Sequence, residues 1–149
     1  MRYFEDLEPG RTFQSAREYL MSREDIIAYA EAWDPQRYHI DEAAARCSPV
    51  GKFFASALHS MAVSQKLAHE SGVFEARPII GLGITNVQFP KPVVEDDRVR
   101  GRVMVKDRRL SRSRPDAGIV VLLIELLNQH HEVVLSYEVT ELVPRGPRP

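Results

Sequence analysis

The sequence predicts an α+β domain in which a mostly antiparallel sheet wraps one long helix. Apolar residues recur at helical spacing in the first half of the chain, whereas in the second half they alternate with polar residues. Helices followed by a run of strands are typical of α+β domains. The chain has 149 residues, of which 44% are hydrophobic, so it can enclose one ordinary core.

Two helices and a short helical turn are predicted before the main strands. Residues 22–33 form the first helix, because the sequence opens on a capping-box-like pair, Ser22 and Asp25, and stops before Pro35. Asp41 then caps a short alanine-rich turn. The long helix is predicted over residues 55–71, which are rich in small and apolar side chains and are followed by a glycine.

Strands account for most of the rest. They are predicted over residues 13–20, 79–89, 99–106, 119–127 and 133–140. In segment 119–127 both the odd-numbered and the even-numbered residues are mostly apolar. This predicts a central strand covered by the helix on one face and by a further layer or subunit on the other. We therefore expect at least a dimer. The domain is expected to span residues 1–143, with a disordered tail over 144–149.

Composition excludes several classes of function. The chain has 20 Lys and Arg against 21 Asp and Glu, which argues against nucleic acid and acidic membranes as main partners. Cys47 is the only cysteine, so an internal disulfide or a multi-cysteine zinc site cannot form. The N-terminus lacks the features of a secretory signal, and no apolar run is long enough to span a bilayer. These features predict a cytoplasmic protein.

The densest ionisable cluster lies in the segment AEAWDPQRYHIDEAAA. Asp34 and His39 are five residues apart, a spacing that would point them in different directions on a continuous helix. A loop containing Pro35 can instead turn both toward one cavity, where a carboxylate and an imidazole can exchange protons with a bound water and a substrate. The alternative is that Asp34 only ends a helix and His39 bonds to backbone, and spacing alone favours this alternative.

The same segment resembles the active-site segment of the MaoC-like, (R)-specific enoyl-CoA hydratase family. The usual form there is Asp-x-Asn-Pro-x-His-x-Asp followed by alanines, and Asp34, His39 and Asp41 fall in register. YFEDLEPG resembles the family's opening, FFASALHSM its Ala-Ser-Gly-x-His helix start, and FPKPVVEDDRV its Pro-Val-x-x-Gly-Asp turn. The resemblance implies a hot-dog fold, assembled as homodimers whose acyl-CoA sites lie near the subunit interface.

The resemblance also implies a reaction and roles for four residues. Asp34 and His39 would be the acid–base pair that adds water across, or removes it from, the α,β double bond of an acyl-CoA thioester. No metal or redox cofactor is implied, and coenzyme A enters as part of the substrate. The enolate-like oxygen would be met by a backbone N–H at the start of the central helix, at Ala57 after Ser56, where unpaired amides favour negative charge.

The sequence departs from the family pattern at three places. Gln36 and Arg37 replace Asn and Pro, and the proline has moved to Pro35. Ala57 replaces a glycine, the residue that lets a ligand approach a backbone closely. Asp96 replaces a turn glycine, and the turn is expected to survive because Asp tolerates left-handed backbone angles.

Further substrate contacts are predicted at Gly83, Lys91, Arg109 and Arg112. Gly83 belongs to a Gly-x-Gly pair in a strand, where glycine can admit a ligand; a dinucleotide fingerprint would need a third glycine and a following helix. Lys91 and the arginines of KDRRLSRSRPDAG are candidates for the coenzyme A phosphates, although a solvated loop is the commoner role of a charge run.

Three other functions are weighed against hydration. A metal site at His39, Asp41 and His59 is disfavoured because nothing in the sequence fixes its geometry. A hot-dog thioesterase is the nearest enzymatic rival, and the position of the Asp34–His39 loop before the central helix argues against it. A non-catalytic acyl-CoA-binding subunit stays open because of Ala57.

Overall fold

The structure of the chain is a computed structural model that describes residues 2–76 and 78–147. It contains three α-helices: α1 (Arg23–Trp33), α2 (Glu42–Cys47) and α3 (Ala57–Glu70). It contains six strands: β1 (Thr12–Gln14), β2 (Tyr19–Leu20), β3 (Ile80–Gln88), β4 (Arg98–Leu110), β5 (Ala117–Leu127) and β6 (Val133–Pro144). Three 3₁₀ turns complete the fold: Phe4–Asp6, Arg37–His39 and Val73–Ala76.

All strand pairs are antiparallel, and the order across the sheet is β1-β4-β5-β6-β3, with β2 also paired to β4. The helix α3 packs across the inner face of this sheet. The core lies between them, and β4, β5 and β6 supply it with alternate side chains. The predicted α+β class, with a mostly antiparallel sheet wrapped around one long helix, is confirmed.

Helix starts follow the predicted capping residues. Ser22 caps α1 by accepting a hydrogen bond from the Asp25 amide at 3.2 Å, and Asp41 caps α2. The long helix begins at Ala57, two residues later than predicted, because Ser56 is extended (ψ 144°) and caps it. Asp96 has a left-handed φ of 66°, as expected of the residue that replaces a turn glycine.

The opening strand differs most from its prediction. Residues 13–20 were expected to be continuous, but β1 and β2 are separate strands that both pair with β4. The interruption occurs at Ser15, whose amide donates to the Gly101 carbonyl at 2.9 Å and whose hydroxyl accepts from the Gly101 amide at 3.1 Å. This side-chain bond replaces a backbone bond of the ladder and lets the chain turn away from β4.

The central strand β5 lies where it was predicted, but only one of its two faces is fully buried. Its even-numbered residues are buried against the core, whereas Ile119, Val121 and Leu123 on the other face are partly exposed. Within the described residues, that outer face therefore lacks the full cover that the sequence predicted. The predicted second subunit stays a prediction.

The last strand extends further than predicted. Pro144 ends β6, and the two residues after it are held by hydrogen bonds. The Arg145 amide donates to the Asp116 carbonyl at 2.8 Å, and the Gly146 amide donates to the Glu5 carboxylate at 2.9 Å. The predicted tail thus starts with bonded residues, and residues 148–149 of it lie outside the described part of the chain.

One edge of the sheet is strongly apolar. The edge strand β3 pairs only with β6 among the described strands, and three of its aliphatic side chains are about half exposed: Ile80, Leu82 and Ile84. Such an edge is a template for pairing with another chain unless it is covered. None of the described helices is long and apolar enough to cross a membrane.

One added methyl group should have a large effect on stability where the sheet lies close to the helix. A Cβ at Gly101 would lie 2.8 Å from Leu67 Cβ in α3, so Gly101→Ala should lower the free energy of unfolding by about 1–3 kcal/mol. A Cβ at Gly81 would meet nothing within 4 Å, so Gly81→Ala is the matched control. Chemical denaturation measures both, and equal stability of the two variants would contradict this packing.

Candidate active site

The predicted acid–base pair meets where α1 ends. Asp34 is the C-cap of α1, and Pro35 then prevents helix continuation. The backbone N–H of Gln36 donates to the backbone carbonyl of Asp34 at 2.8 Å. A 3₁₀ turn that carries His39 follows. The tight reversal brings two side chains five residues apart to the same side of the chain, as the sequence predicts.

The imidazole of His39 is buried, with 4% of the residue exposed, and a hydrogen bond to one of its two nitrogens fixes its orientation. Nδ1 lies 3.0 Å from the Phe54 carbonyl oxygen, which can only accept, so Nδ1 carries the proton in the neutral ring. The ring also packs edge-on against the Phe54 ring, with centroids 4.8 Å apart. Nε2 is therefore the basic nitrogen, and it lies 3.9 Å from Asp34 Oδ2. That separation is too long for a direct hydrogen bond and suits two groups that contact one small molecule.

The Asp34 carboxylate is held by two donors. The Ser56 hydroxyl donates to Oδ2 at 2.5 Å, and the Gln36 amide nitrogen donates to Oδ1 at 2.9 Å. These bonds, with the Ser56 bond the stronger cause, lower the pKa of Asp34 below its ordinary value of 3.8; partial burial opposes them, and His39 adds a smaller lowering effect. Asp34 is therefore an anion at neutral pH.

Ser56 connects this pair to the central helix. Its hydroxyl also accepts from the Leu58 amide at 3.2 Å, so a single oxygen caps α3 and holds Asp34. The first amide of the helix, that of Ala57, lacks an intrahelical partner, and Ala57 is exposed. The start of α3 thus presents an N–H and the positive end of the helix dipole beside the acid–base pair.

Two cavities follow the exposed side of α3. The proximal cavity, about 270 Å³, is lined by Phe54, Ala55, Ala57, Ser60, Phe89, Lys91, Pro92, Val93 and Val134. The distal cavity, about 470 Å³, is lined by Met61, Ala62, Gln65, Gly81, Gly83, Ile84, Tyr137, Val139 and Glu141. The first lies at the helix N-terminus, and the second lies further along the helix, between α3, β6 and β3.

The predicted substrate contacts divide into two groups. Lys91 lines the proximal cavity and forms an ion pair with Glu132, and Gly83 lines the distal cavity. Arg109 and Arg112 lie at the hairpin between β4 and β5, about 35 Å of strand from the site end of β4 at roughly 3.4 Å per residue. The fold does not bring these two arginines to Asp34 and His39 within one chain.

The neighbouring arginines of that hairpin have local partners. Arg108 donates to the carbonyls of Phe4 and Glu5, and Arg114 forms two hydrogen bonds with Asp116. These contacts fit the solvated-loop alternative for the charge run. They also explain why the hairpin remains folded onto its own chain.

Some parts of the site are not evident from the motif. Gln36 is a departure from the family pattern, yet its amide bonds Asp34, and its position two residues after a helix-ending Asp is a usable signal. The Phe54 carbonyl that fixes the His39 tautomer could not be predicted, because any residue type supplies a carbonyl.

His59, the histidine of the helix-start motif FFASALHSM, has a different environment from His39. His59 stacks on Tyr29, with ring centroids 4.6 Å apart, and its buried Nδ1 has no hydrogen-bond partner among the described residues. Burial lowers the pKa of His59, so the ring is neutral at neutral pH. No group of three His, Cys, Asp or Glu residues in the described ranges is arranged to hold a metal ion.

Comparisons with known proteins place the geometry in context. Residues 5–124 match the family described as MaoC like domain. A MaoC-like dehydratase from Rhodospirillum rubrum, known from a crystal structure, is 36% identical and superposes with a TM-score of 0.92 over 99% of this chain and 100% of that chain. The uncharacterized protein YdeM of Bacillus subtilis strain 168 is 31% identical over 136 residues, which is 91% of this chain and 94% of that protein.

A more distant structure shares the fold. An unliganded R-hydratase from Pseudomonas aeruginosa is 21% identical, with a TM-score of 0.75 over 97% of this chain and 86% of that chain. The sheet curled around α3 is accordingly a hot-dog fold, as the resemblance implied.

The double role of Ser56 predicts a specific effect of its removal. Ser56→Ala should raise the pKa of Asp34 because the larger of its two hydrogen bonds is lost. Since the folded pKa of Asp34 is depressed, its stabilising contribution is present above pH 3.8 and is lost as the pH falls through the folded value. The variant should therefore show a weaker acid-side loss of stability in denaturation experiments between neutral pH and pH about 3.

Ser22→Ala is the matched control, because Ser22 caps α1 with the same kind of bond but does not contact Asp34. Both variants should lose about 1 kcal/mol through the missing cap. Only Ser56→Ala should shift the Asp34 titration measured by carboxyl NMR. An identical Asp34 titration in the two variants would show that Ser56 does not control this carboxylate.

Proposed function

The chain belongs to the MaoC-like domain family, and from this we propose that it is a hydro-lyase acting on acyl-CoA thioesters. The reaction is the addition of water to the α,β double bond of a 2-enoyl thioester, or its reversal. The observation that carries the proposal is the 3.9 Å separation between His39 Nε2 and Asp34 Oδ2, beside the N-terminus of α3. An acid–base pair and an oxyanion donor are the two elements that this chemistry needs.

The roles of the pair follow from their hydrogen bonds. His39 Nε2 is unprotonated in the neutral ring, so it takes a proton from water as the oxygen of that water attacks the β-carbon. Asp34 is ionised, so it accepts a hydrogen bond from the second O–H of the water, which keeps that hydrogen, and then stabilises the imidazolium. Asp34 is a poor proton donor, and we therefore assign both proton transfers to His39.

Charge then moves from the alkene to the thioester oxygen. The Ala57 N–H and the dipole of α3 stabilise this enolate-like oxygen, a contribution of about 10² to 10³ in rate for such a donor. The imidazolium of His39 returns its proton to the α-carbon, so that one water molecule is added in total. Dehydration is the same path in reverse. We propose no metal or redox cofactor, and Lys91 is the proposed contact to the coenzyme A part of the substrate.

One observation favours a second function, that of a non-catalytic acyl-CoA-binding subunit. Ala57 adds a methyl group where the motif has glycine, and this methyl stands exposed at the helix start. It would narrow the approach of a thioester to the Ala57 N–H. Nothing in the geometry of the described residues favours a thioesterase in the same way.

Substitution of Asp34 tests the proposed reaction. Asp34→Asn should lower kcat for hydration of crotonyl-CoA by about 10²-fold or more, since the amide cannot stabilise an imidazolium as a carboxylate does. Loss of the enoyl absorbance measures hydration, release of free thiol measures hydrolysis, and calorimetry measures binding without turnover. Asp41→Asn is the control, because Asp41 caps α2 in the same motif without contacting Asp34 or His39.

The three assays separate the functions. Hydration that is lost only in Asp34→Asn supports the proposal. Unchanged hydration in that variant removes the mechanism. Thiol release would indicate a thioesterase, and binding without either reaction would indicate the accessory role.

We further propose that the protein is a homodimer formed through β3. Among the described strands β3 pairs only with β6, so its other edge presents backbone groups without a strand partner there, and the strand carries exposed aliphatic side chains. An antiparallel pairing of β3 with its copy would continue the sheet between two chains and satisfy those groups. It would also enclose the distal cavity, which β3 lines with Gly81, Gly83 and Ile84.

Introducing a charge on this edge tests the dimer. Leu82 is 51% exposed on β3, so Leu82→Lys should leave the single chain folded and place two like charges close together at a symmetric interface. Light scattering should show a dimer for the unaltered protein and a monomer for the variant at micromolar concentration. Leu110→Lys is the control, since Leu110 is similarly exposed at the far hairpin. A monomeric unaltered protein would contradict the proposal.

A further inference from the structure

The distal cavity contains a carboxyl group that the proposed reaction does not use. Glu141 lies on β6 and is only 7% exposed, on the same face as Tyr137, Val139 and Val143. It makes no hydrogen bond or ion pair with a described residue, and burial raises the pKa of its carboxyl. A carboxyl without a protein partner is unexpected in a row that otherwise packs the core, and its oxygens face the open space of the distal cavity.

The surroundings direct Glu141 into the cavity. Its partner across the strand pair is Gly81 of β3, where a Cβ would meet nothing within 4 Å. On its other side it pairs with Val120 of β5, which is fully buried. The open space next to the carboxyl is therefore on the Gly81 side, toward the cavity and α3.

Two more polar groups line the same cavity. The Tyr137 hydroxyl lies 2.9 Å from the Ser64 hydroxyl and 3.4 Å from Gln65 Oε1, and Gln65 and Tyr137 both line the cavity with Glu141. The residues nearer to the helix start are apolar or small, notably Met61 and Ala62. The lining of the cavity thus combines apolar or small residues with three polar side chains, those of Gln65, Tyr137 and Glu141.

The length of α3 from Ala57 to Gln65 suits an extended acyl chain. Ala57 and Gln65 are separated by eight residues of α3, or about 12 Å at roughly 1.5 Å per residue. A thioester oxygen at the Ala57 N–H would direct the acyl chain along Met61 and Ala62 into the distal cavity, which Gln65 and Glu141 also line. A plain alkyl end would leave the carboxyl buried and unpaired. The free-energy cost of that state is higher than in the protein whose cavity holds solvent.

We propose that the site selects enoyl thioesters of medium chain length that carry a hydroxyl group at the far end of the acyl chain. The proposal rests on the proposed function, and it adds the class of substrate. A hydroxyl both donates and accepts, so it can bond Glu141 in either protonation state and can also bond the Gln65 amide. An ammonium group would bond only the charged carboxylate, and a carboxylate end would be repelled by it.

The test compares plain and ω-hydroxylated 2-enoyl-CoA substrates of equal length, from hexenoyl to decenoyl. The unaltered protein should hydrate the best hydroxylated substrate with kcat/KM at least about tenfold above that of its plain counterpart. Glu141→Leu should reverse this preference. Glu138→Leu is the matched control: Glu138 lies on the same strand but faces outward, bonded to Asn86 and Lys106, so its exchange should leave the preference unchanged.

Folding of the key variant is checked independently. Replacing an unpaired buried carboxyl by an aliphatic side chain should raise Tm or leave it unchanged, so a lost preference cannot be ascribed to unfolding. Plain substrates that are preferred by the unaltered protein, or a preference that Glu141→Leu leaves intact, would overturn the proposal while the hydratase function stands.

Absence of hydration for every substrate would instead remove the proposed function. The same acyl-CoA pairs would then be compared by calorimetry. Tighter binding of the hydroxylated member, lost in Glu141→Leu, would support the selection by Glu141, and equal binding of both members would overturn it.

Discussion

One hydrogen bond connects the parts of this site: the Ser56 hydroxyl donates to Asp34 at 2.5 Å while it caps α3. Asp34 stands at the end of α1 and Ser56 at the start of α3, so this bond fixes where two helices meet. It also lowers the pKa of Asp34, and in the proposed mechanism His39 is therefore the group that carries the proton. The proposed chemistry thus depends on a contact between the residue that ends one helix and the residue that caps the next.

The end of α1 at Asp34 and the turn that carries His39 could be predicted because local rules determine them, whereas the meeting of the two side chains was expected from the resemblance. A proline after Asp34 must end the helix, and a short turn must follow before the next cap at Asp41. The start of α3 was predicted two residues too early, although Ser56 is a favoured cap. The antiparallel sheet was readable from alternation in β4 and β6.

What the sequence did not reveal depends on contacts between distant segments. The break of the opening strand at Ser15 arises from a bond to Gly101, 86 residues away. The position of Arg109 and Arg112 depends on the length of β4, which carries them away from the site. Glu141 is one acidic residue in an alternating strand, and only the register of β3 and β5 shows that it faces inward.

The central claim is that a single group on one side of the substrate takes the proton from water and returns it to the α-carbon. The direct measurement is the hydration of crotonyl-CoA in D₂O, followed by NMR of the product to determine the relative configuration at the two carbons. The geometry of His39 and Asp34 predicts that deuterium and hydroxyl are added to the same face. Addition to opposite faces would require a second proton donor across the substrate and would contradict the account.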